Sequence, residues 1–184
     1  MYYSNIKYCD IANGPGVRTS LFVSGCTHRC PNCFNSVAWD FHYGESYTDA
    51  IEEKLMESLA PGYVAGLSLL GGEPMEPENQ RTVLGLCQRV RRELPGKTIW
   101  CYSGYTLEEL TGECRARCTT DEALQILQLL DVLVDGEFVM EKYDISLRFR
   151  GSSNQRLIDV PASLESGHVV PWQDDPLFET HRMM

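Results

Sequence analysis

Short apolar runs alternate along the chain with longer segments in which apolar residues recur every three or four positions. The short runs are bounded by glycine, serine or aspartate, a pattern that predicts buried β-strands. The predicted strands cover residues 19–23, 67–70, 98–101 and 132–134, with a further strand and its exit loop within 147–158.

The longer segments are predicted to be helices because their apolar positions have helical spacing. Thr48 is a candidate cap for the first helix, and Pro-Gly pairs at 61–62 and 95–96 end the first two. The predicted helices cover residues 48–59, 77–94, 107–110 and 121–130.

The repeated order of strand, loop and helix predicts an α/β fold. Parallel strands need long crossovers, so the helices should pack outside a mostly parallel sheet. The repeated units are too few to close an eight-unit barrel. We therefore expect a curved, partial β/α barrel or an open sheet in a domain at residues 1–160, followed by a C-terminal tail at 161–184.

Chemically distinctive segments follow several of the predicted strands. These segments are residues 26–33, 71–74, 103–105 and 135–136. In parallel folds the loops that leave the C-terminal ends of the strands meet at one rim, where ligands bind. This placement predicts an enzyme whose site lies at that rim.

Composition and charge exclude several classes of function. The chain has 184 residues, is 43% hydrophobic and carries 16 Lys+Arg against 26 Asp+Glu, for a net charge of −10. This charge argues against broad nucleic-acid binding, which needs basic residues to neutralise phosphates. No segment approaches the roughly 18–20 apolar residues that cross a bilayer, and the N-terminus lacks the features of a secretion signal. We expect a cytoplasmic protein with no nucleic-acid or membrane partner.

The chain has eight cysteines, and Cys26, Cys30 and Cys33 lie within one short segment. A structural zinc site needs four ligands, so zinc would require a histidine such as His28 or His42 to complete the set. Three thiolates on an iron–sulfur cube would leave one iron open, whereas electron carriers of the ferredoxin type use four cysteines per cluster. The missing fourth cysteine favours a reactive cluster, with zinc as the alternative.

The other five cysteines carry no comparable pattern. Cys9, Cys87 and Cys101 are predicted to be small buried hydrophobic residues. Cys114 and Cys118 are predicted to be incidental thiols, because a closed metal site needs a full ligand set.

Several ordered motifs resemble a known family. The C-x3-C-x2-C pattern after the first predicted strand and Gly-Gly-Glu-Pro at 71–74 resemble the radical S-adenosylmethionine superfamily. Residues 13–18, 131–138 and 150–156 narrow the resemblance to its glycyl-radical-enzyme activases. Together these matches cover residues 5–158 and leave only the tail outside.

The resemblance implies a cofactor set and a partner. It implies that Cys26, Cys30 and Cys33 hold one 4Fe-4S cluster whose open iron is chelated by S-adenosylmethionine. One electron from a flavodoxin or ferredoxin-type reductant would cleave this cofactor to a 5′-deoxyadenosyl radical. The radical would remove hydrogen from a glycine of an anaerobic ribonucleoside-triphosphate reductase.

The resemblance also implies which residues contact S-adenosylmethionine. The Gly-Gly-Glu-Pro turn would receive the methionine ammonium. The superfamily often has an aromatic residue just before the third cysteine, where this chain has Asn32. Some activases have a lysine where this chain has Glu137. Arg18 and Arg150 are therefore candidates to replace this lysine as the cation that neutralises the cofactor carboxylate. The candidate contact residues are Asn32, Phe34, Gly71, Gly72, Glu73, Ser103, Asp135 and Asn154.

Two other functions remain open from the sequence. One is a small radical S-adenosylmethionine enzyme that acts on a small molecule, similar to a deazapurine-forming synthase. The other is a non-catalytic zinc or electron-transfer module. The shallow rim expected from a partial barrel favours a macromolecular substrate and therefore the activase.

Overall fold

The computed structural model describes residues 1–174 as a mixed α/β fold with one sheet and five α-helices in that range. The strands are β1 Tyr2–Asp10, β2 Val17–Val23, β3 Glu45–Ser46, β4 Val64–Gly71, β5 Thr98–Tyr102, β6 Val132–Asp135 and β7 Arg156–Asp159. The helices are α1 Asp49–Leu59, α2 Pro77–Glu93, α3 Leu107–Thr111, α4 Asp121–Leu127 and α5 Val160–Ser166.

The seven strands form a sheet in the order β3-β1-β2-β4-β5-β6-β7. The central strands β2, β4, β5 and β6 are parallel to one another. Antiparallel pairings add β1 and β3 on one side and β7 on the other. Within residues 1–174 the two edge strands β3 and β7 do not pair with each other, so the sheet is open. Its description as a partial barrel stays a prediction.

The apolar runs predicted as strands are confirmed as β2, β4, β5 and β6, and all four predicted helices are present. The sequence pattern missed β1, in which only Tyr3 and Asp10 are buried, so that no apolar run marks it. Within 147–158, only the segment that begins at Arg156 is a strand. The residues before it form a loop.

Local signals explain where the helices begin and end. The Thr48 side chain accepts a hydrogen bond from Ile51 N and caps α1, as predicted. Pro77 lies in the first turn of α2, where its missing N–H costs nothing. Within residues 1–174 no helix has both the length and the apolar character that a membrane span requires.

The helices cover one face of the sheet. Apolar residues of β2, β4 and β5, such as Leu21, Leu69 and Ile99, pack there with Leu55 of α1 and Leu86 of α2. Burial of this face is the main apolar contribution to stability.

The opposite face is covered by a loop and by the first part of the predicted tail. Trp100 packs edge to face against Phe149 and Trp172, with ring centroids 5.4 and 4.9 Å away. The predicted domain boundary falls at the start of α5, and Pro171 forms an isolated bridge with Ile158. Residues 175–184 of the predicted tail lie outside the described residues.

Arg18 lies fully buried within this second face. Its guanidinium donates to Ser68 Oγ (2.7 Å), Thr98 Oγ1 (2.9 Å) and the carbonyl oxygen of Leu67 (2.7 Å), and it lies over the ring of Trp100. Burial lowers the pKa of Arg18 to about 10. The residue therefore serves the fold: its charge is spread over polar groups of two neighbouring strands.

We expect Arg18→Met to lower the free energy of unfolding by about 3 kcal/mol, because the buried hydroxyl and carbonyl groups lose their donors. Arg92→Met is the matched control: Arg92 is largely exposed on α2, and its loss should change stability by less than about 0.5 kcal/mol. Denaturation under anaerobic conditions, followed by tryptophan fluorescence, measures both. Equal stability of the two variants would contradict the structural role of Arg18.

Candidate iron–sulfur and cofactor site

The three clustered cysteines lie at one cavity of about 560 Å³. The cavity is at the C-terminal ends of the parallel strands, where the loops after β2, β4, β5 and β6 meet. Cys26, Cys30 and Cys33 line it together with Gly71, Gly72, Glu73 and Ser103. The rim predicted from the strand order is therefore where the structure brings these residues together.

Backbone hydrogen bonds hold the cysteine loop at its base. Gly25 N donates to the carbonyl oxygen of Ala38 (2.8 Å) and Cys26 N to that of Trp39 (3.2 Å). Gly25 has a φ of +95°, and a Cβ there would overlap the ring of Phe41. The loop therefore leaves β2 by a turn that only glycine adopts without strain.

Glu76, the residue immediately before α2, anchors the same loop. Its buried carboxylate accepts from Thr27 N at 2.7 Å and from Thr27 Oγ1 at 2.5 Å. Arg117 neutralises it, with Nε 2.9 Å from Oε2. A buried carboxylate that is both hydrogen-bonded and paired can fix a loop without leaving an uncompensated charge.

The Gly-Gly turn after β4 packs directly against the start of the cysteine loop. Gly72 N donates to Val23 O (2.7 Å) and Glu73 N to Gly25 O (2.8 Å). A Cβ on Gly71 or Gly72 would approach the backbone of Val23 or Gly25 to 2.6 Å. The glycines are thus needed because two strand exits lie in contact.

The Glu73 carboxylate is fully engaged inside the protein. It accepts from Met75 N (2.8 Å), Ser103 Oγ (2.8 Å) and Gly104 N (2.7 Å), and His28 Nε2 lies 3.3 Å from it. These contacts join the exits of β4 and β5 and the cysteine loop. The role of Glu73 toward a cofactor ammonium stays a prediction.

His28 bridges two carboxylates at the cavity. Its Nδ1 lies 2.8 Å from Glu137 and its ring packs against Tyr105, while Gly104 leaves room for it. Burial lowers the pKa of His28, but the bonds and charges of Glu73 and Glu137 outweigh burial and raise it to about 9. The other histidine that the zinc hypothesis named, His42, is largely exposed.

The environment of the thiols opposes ionisation. Burial, followed by the charge of Glu73, raises the pKa of Cys26 to about 12, and burial also raises the pKa of Cys30. The thiolate is the form that binds iron, so a bound metal centre must supply the charge that displaces these protons.

The cavity fits a cluster with a cofactor. Its volume lies in the range typical of cofactor sites. The hydroxyl of Tyr102 and Trp39 Nε1 are buried at its wall and find no hydrogen-bond partner within residues 1–174. In that range no three His, Cys, Asp or Glu side chains form a group that could hold a metal ion. A cubane spreads its three protein ligands over three irons, so its thiols need not converge on one ion.

The structure separates the predicted cofactor residues into two groups. Asn32 and Phe34 line the cavity with the Gly-Gly-Glu turn and Ser103, and Phe34 is 88% exposed. Asp135 and Asn154 are not among the lining residues.

Asp135 and Asn154 bond instead within the protein. The buried Asp135 carboxylate accepts from Leu107 N (2.8 Å) and pairs with Arg156. Asn154 Nδ2 donates to the carbonyl oxygen of Glu137 (2.9 Å). Their predicted contacts with a cofactor stay predictions.

No other cysteine among the described residues lines the cavity. Cys87 and Cys101 are buried, as predicted, but the prediction is wrong for Cys9, which is exposed. Cys9 lies near an irregularity of β1 and has a φ of +56°, which the sequence pattern could not show.

Comparison with known proteins agrees with this geometry. Residues 12–158 match the family described as a 4Fe-4S single cluster domain. The anaerobic ribonucleoside-triphosphate reductase-activating protein of Escherichia coli K12 is 43% identical over 157 residues, which cover 84% of this chain and 96% of that protein. Proteins of the same name from Vibrio cholerae (84% and 96% covered) and bacteriophage T4 (85% and 93%) are 44% and 36% identical.

The chain belongs to the family of anaerobic ribonucleoside-triphosphate reductase-activating proteins.

Two residues organise the site in this member of the activating-protein family in roles that the sequence pattern did not predict. Glu76 carries no motif of its own, and its signal was only its position after the Gly-Gly-Glu-Pro turn. His28 was noticed as a possible zinc ligand, but its bridge between Glu73 and Glu137 depends on loops distant in sequence.

We expect Gly72→Ala to reduce the iron retained after anaerobic reconstitution and to lower stability by about 1–3 kcal/mol, because its Cβ would push the two strand exits apart. Gly85→Ala is the control: Gly85 lies in α2 with open space around it, and alanine should stabilise the helix by about 0.5–1 kcal/mol. Iron content and thermal unfolding measure both. Wild-type iron content in Gly72→Ala would refute this explanation.

Proposed function

We propose that this chain activates an anaerobic ribonucleoside-triphosphate reductase by reductive cleavage of S-adenosylmethionine and generation of a glycyl radical on the reductase. The proposed cofactors are S-adenosylmethionine and one 4Fe-4S cluster held by Cys26, Cys30 and Cys33. The names of the relatives and the iron–sulfur family support this proposal.

One observation carries the proposal. Three cysteines, and no fourth among the described residues, line a cavity that also contains the Gly-Gly edge of β4. A cube held by three thiolates leaves one iron free for a second cofactor, and the cavity continues from the thiols along the exits of three further strands. When bound, the two cofactors together supply one-electron radical chemistry.

The chain's own residues position these groups and limit access of water. Glu76 and the Gly-Gly turn fix the cysteine loop, while Glu73 ties this turn to Ser103. Apolar and aromatic side chains of the cavity, such as Trp39, Leu70 and Phe138, exclude solvent from a reactive centre. The partly exposed mouth leaves the site accessible to a macromolecule.

The remaining parts of the proposal concern partners and organisation. We propose a flavodoxin or ferredoxin-type protein as the reductant and a cytoplasmic location. We propose neither a nucleic-acid nor a membrane partner. A partial-barrel domain at residues 1–160 with a tail at 161–184 is the proposed organisation, with the cluster and cofactor at the C-terminal rim of the strands.

The test begins with anaerobic reconstitution. We expect about four iron and four sulfide per chain, and an electron spin resonance spectrum of the reduced cluster that changes when S-adenosylmethionine is added. Mixing this protein with the reductase should give a glycine-centred doublet. A colourless zinc protein, or a cluster indifferent to S-adenosylmethionine, would disprove the proposal.

Cysteine variants make the test residue-specific. Cys26→Ser, Cys30→Ser and Cys33→Ser should each abolish the doublet. Cys114→Ser, at an exposed thiol away from the cavity, should leave it unchanged. Cleavage of S-adenosylmethionine by the wild type without any doublet would favour an enzyme that acts on a small molecule.

A further inference from the structure

Among residues 1–174, Arg150 is the one Arg or Lys that lines the cavity. Two carboxylates, Glu73 and Glu137, also line it, and His28 lies between them. We propose that Arg150 binds the carboxylate of S-adenosylmethionine and makes the cavity specific for ligands that carry it. This inference rests on the proposed function, because it assumes that the cavity takes this cofactor.

Arg18 and Arg156, two further guanidinium groups near this end of the sheet, are already used by the protein, and Arg29 of the cysteine loop is not among the residues that line the cavity. Arg18 is buried among hydrogen-bond acceptors of β4 and β5 and does not line the cavity. Arg156 pairs with Asp135 and Glu108. Neither is available to a ligand without breaking these buried or bidentate contacts.

Arg150 is positioned by a hydrogen bond that uses only one of its donors. Its Nη1 donates to the carbonyl oxygen of Gln155 (2.6 Å), the one hydrogen bond its guanidinium makes within residues 1–174. A guanidinium has five N–H donors, so most remain available. The two that form a fork match the geometry of a carboxylate.

The turn that carries Arg150 is fixed to the cavity wall by Gln155. Gln155 Oε1 accepts from Gly151 N (2.9 Å) and Ser152 N (3.1 Å), and Nε2 donates to Gly136 O (3.1 Å). The side chain of Gln155 thus joins this turn to the exit of β6. A cation on a fixed turn binds with little loss of conformational entropy.

The charges of the cavity favour one orientation of a zwitterion. His28 already lies between Glu73 and Glu137, with Nε2 3.3 Å from the first carboxylate and Nδ1 2.8 Å from the second, so both ring nitrogens are occupied. These carboxylates repel a ligand carboxylate and attract an ammonium or sulfonium group. A ligand carboxylate would therefore bind to Arg150. The positive groups of the same ligand would then face Glu73 and Glu137.

The test compares two ligands that differ only in the carboxylate. The anaerobically reconstituted protein, with its cluster oxidised so that no cleavage occurs, is titrated with S-adenosylmethionine and with its decarboxylated form. Calorimetry gives Kd for the wild type, Arg150→Met, Arg150→Lys and the control Arg92→Met, which lies on α2 outside the cavity.

We expect the wild type and Arg92→Met to bind S-adenosylmethionine about 10- to 100-fold more tightly than the decarboxylated form. Arg150→Met should reduce this preference about 10-fold while binding the decarboxylated form as the wild type does, and the preference that remains is the share contributed by chelation of the open iron. Arg150→Lys should keep more of the preference, because it retains the charge without the fork. Unchanged binding of the decarboxylated form also shows that the variant cavity is intact.

Three outcomes would overturn the inference alone: a wild type that binds both ligands equally, an Arg150→Met variant that keeps the full preference, and equal weakening of both ligands by that variant. A reconstituted wild type that binds neither ligand would overturn the proposed function, and this inference with it.

Discussion

Contact between two strand exits is the constraint on which the site depends. The hydrogen bonds from Gly72 N to Val23 O and from Glu73 N to Gly25 O bring the cysteine loop and the Gly-Gly turn into van der Waals contact. No side chain larger than hydrogen fits between them. Because β2 and β4 are adjacent parallel strands in register, both exits lie at the same edge of the sheet. The cavity is the space that remains beside this contact.

Buried carboxylates extend that contact to the rest of the rim. Glu73 binds groups at the exits of β4 and β5, and Glu76 ties the cysteine loop to α2. Each is satisfied by several donors, so its burial stabilises a specific arrangement without an unpaired charge. The site is therefore rigid at its base, whereas residues such as Phe34 at its mouth are exposed. This combination suits a centre that must be held accurately and still reach a large partner.

Much of the architecture was predictable because local patterns agree with the fold. The four central strands are short, apolar and bounded by turn residues, and the helices have clear periodicity and caps. Strand β1 escaped prediction because only Tyr3 and Asp10 of its nine residues are buried, so that no apolar run marks it. The sequence pattern predicts a strand within 147–158, but residues 147–155 form a loop. Apolar residues of this loop, such as Phe149, pack on the face of the sheet and do not pair as a strand within it.

The sequence by itself determined which ligands the site offers, because these depend on residue types and their spacing. It places three cysteines in one loop and a Gly-Gly-Glu-Pro turn after the next parallel strand. Only the tertiary structure decided how the charged residues are used. Arg18 and Arg150 are equal candidates in the sequence, yet one is buried among strand carbonyls and the other lines the cavity. Asp135 likewise pairs with Arg156. The partner of a charged side chain depends on contacts between segments distant in sequence, and those exist only after the chain has folded.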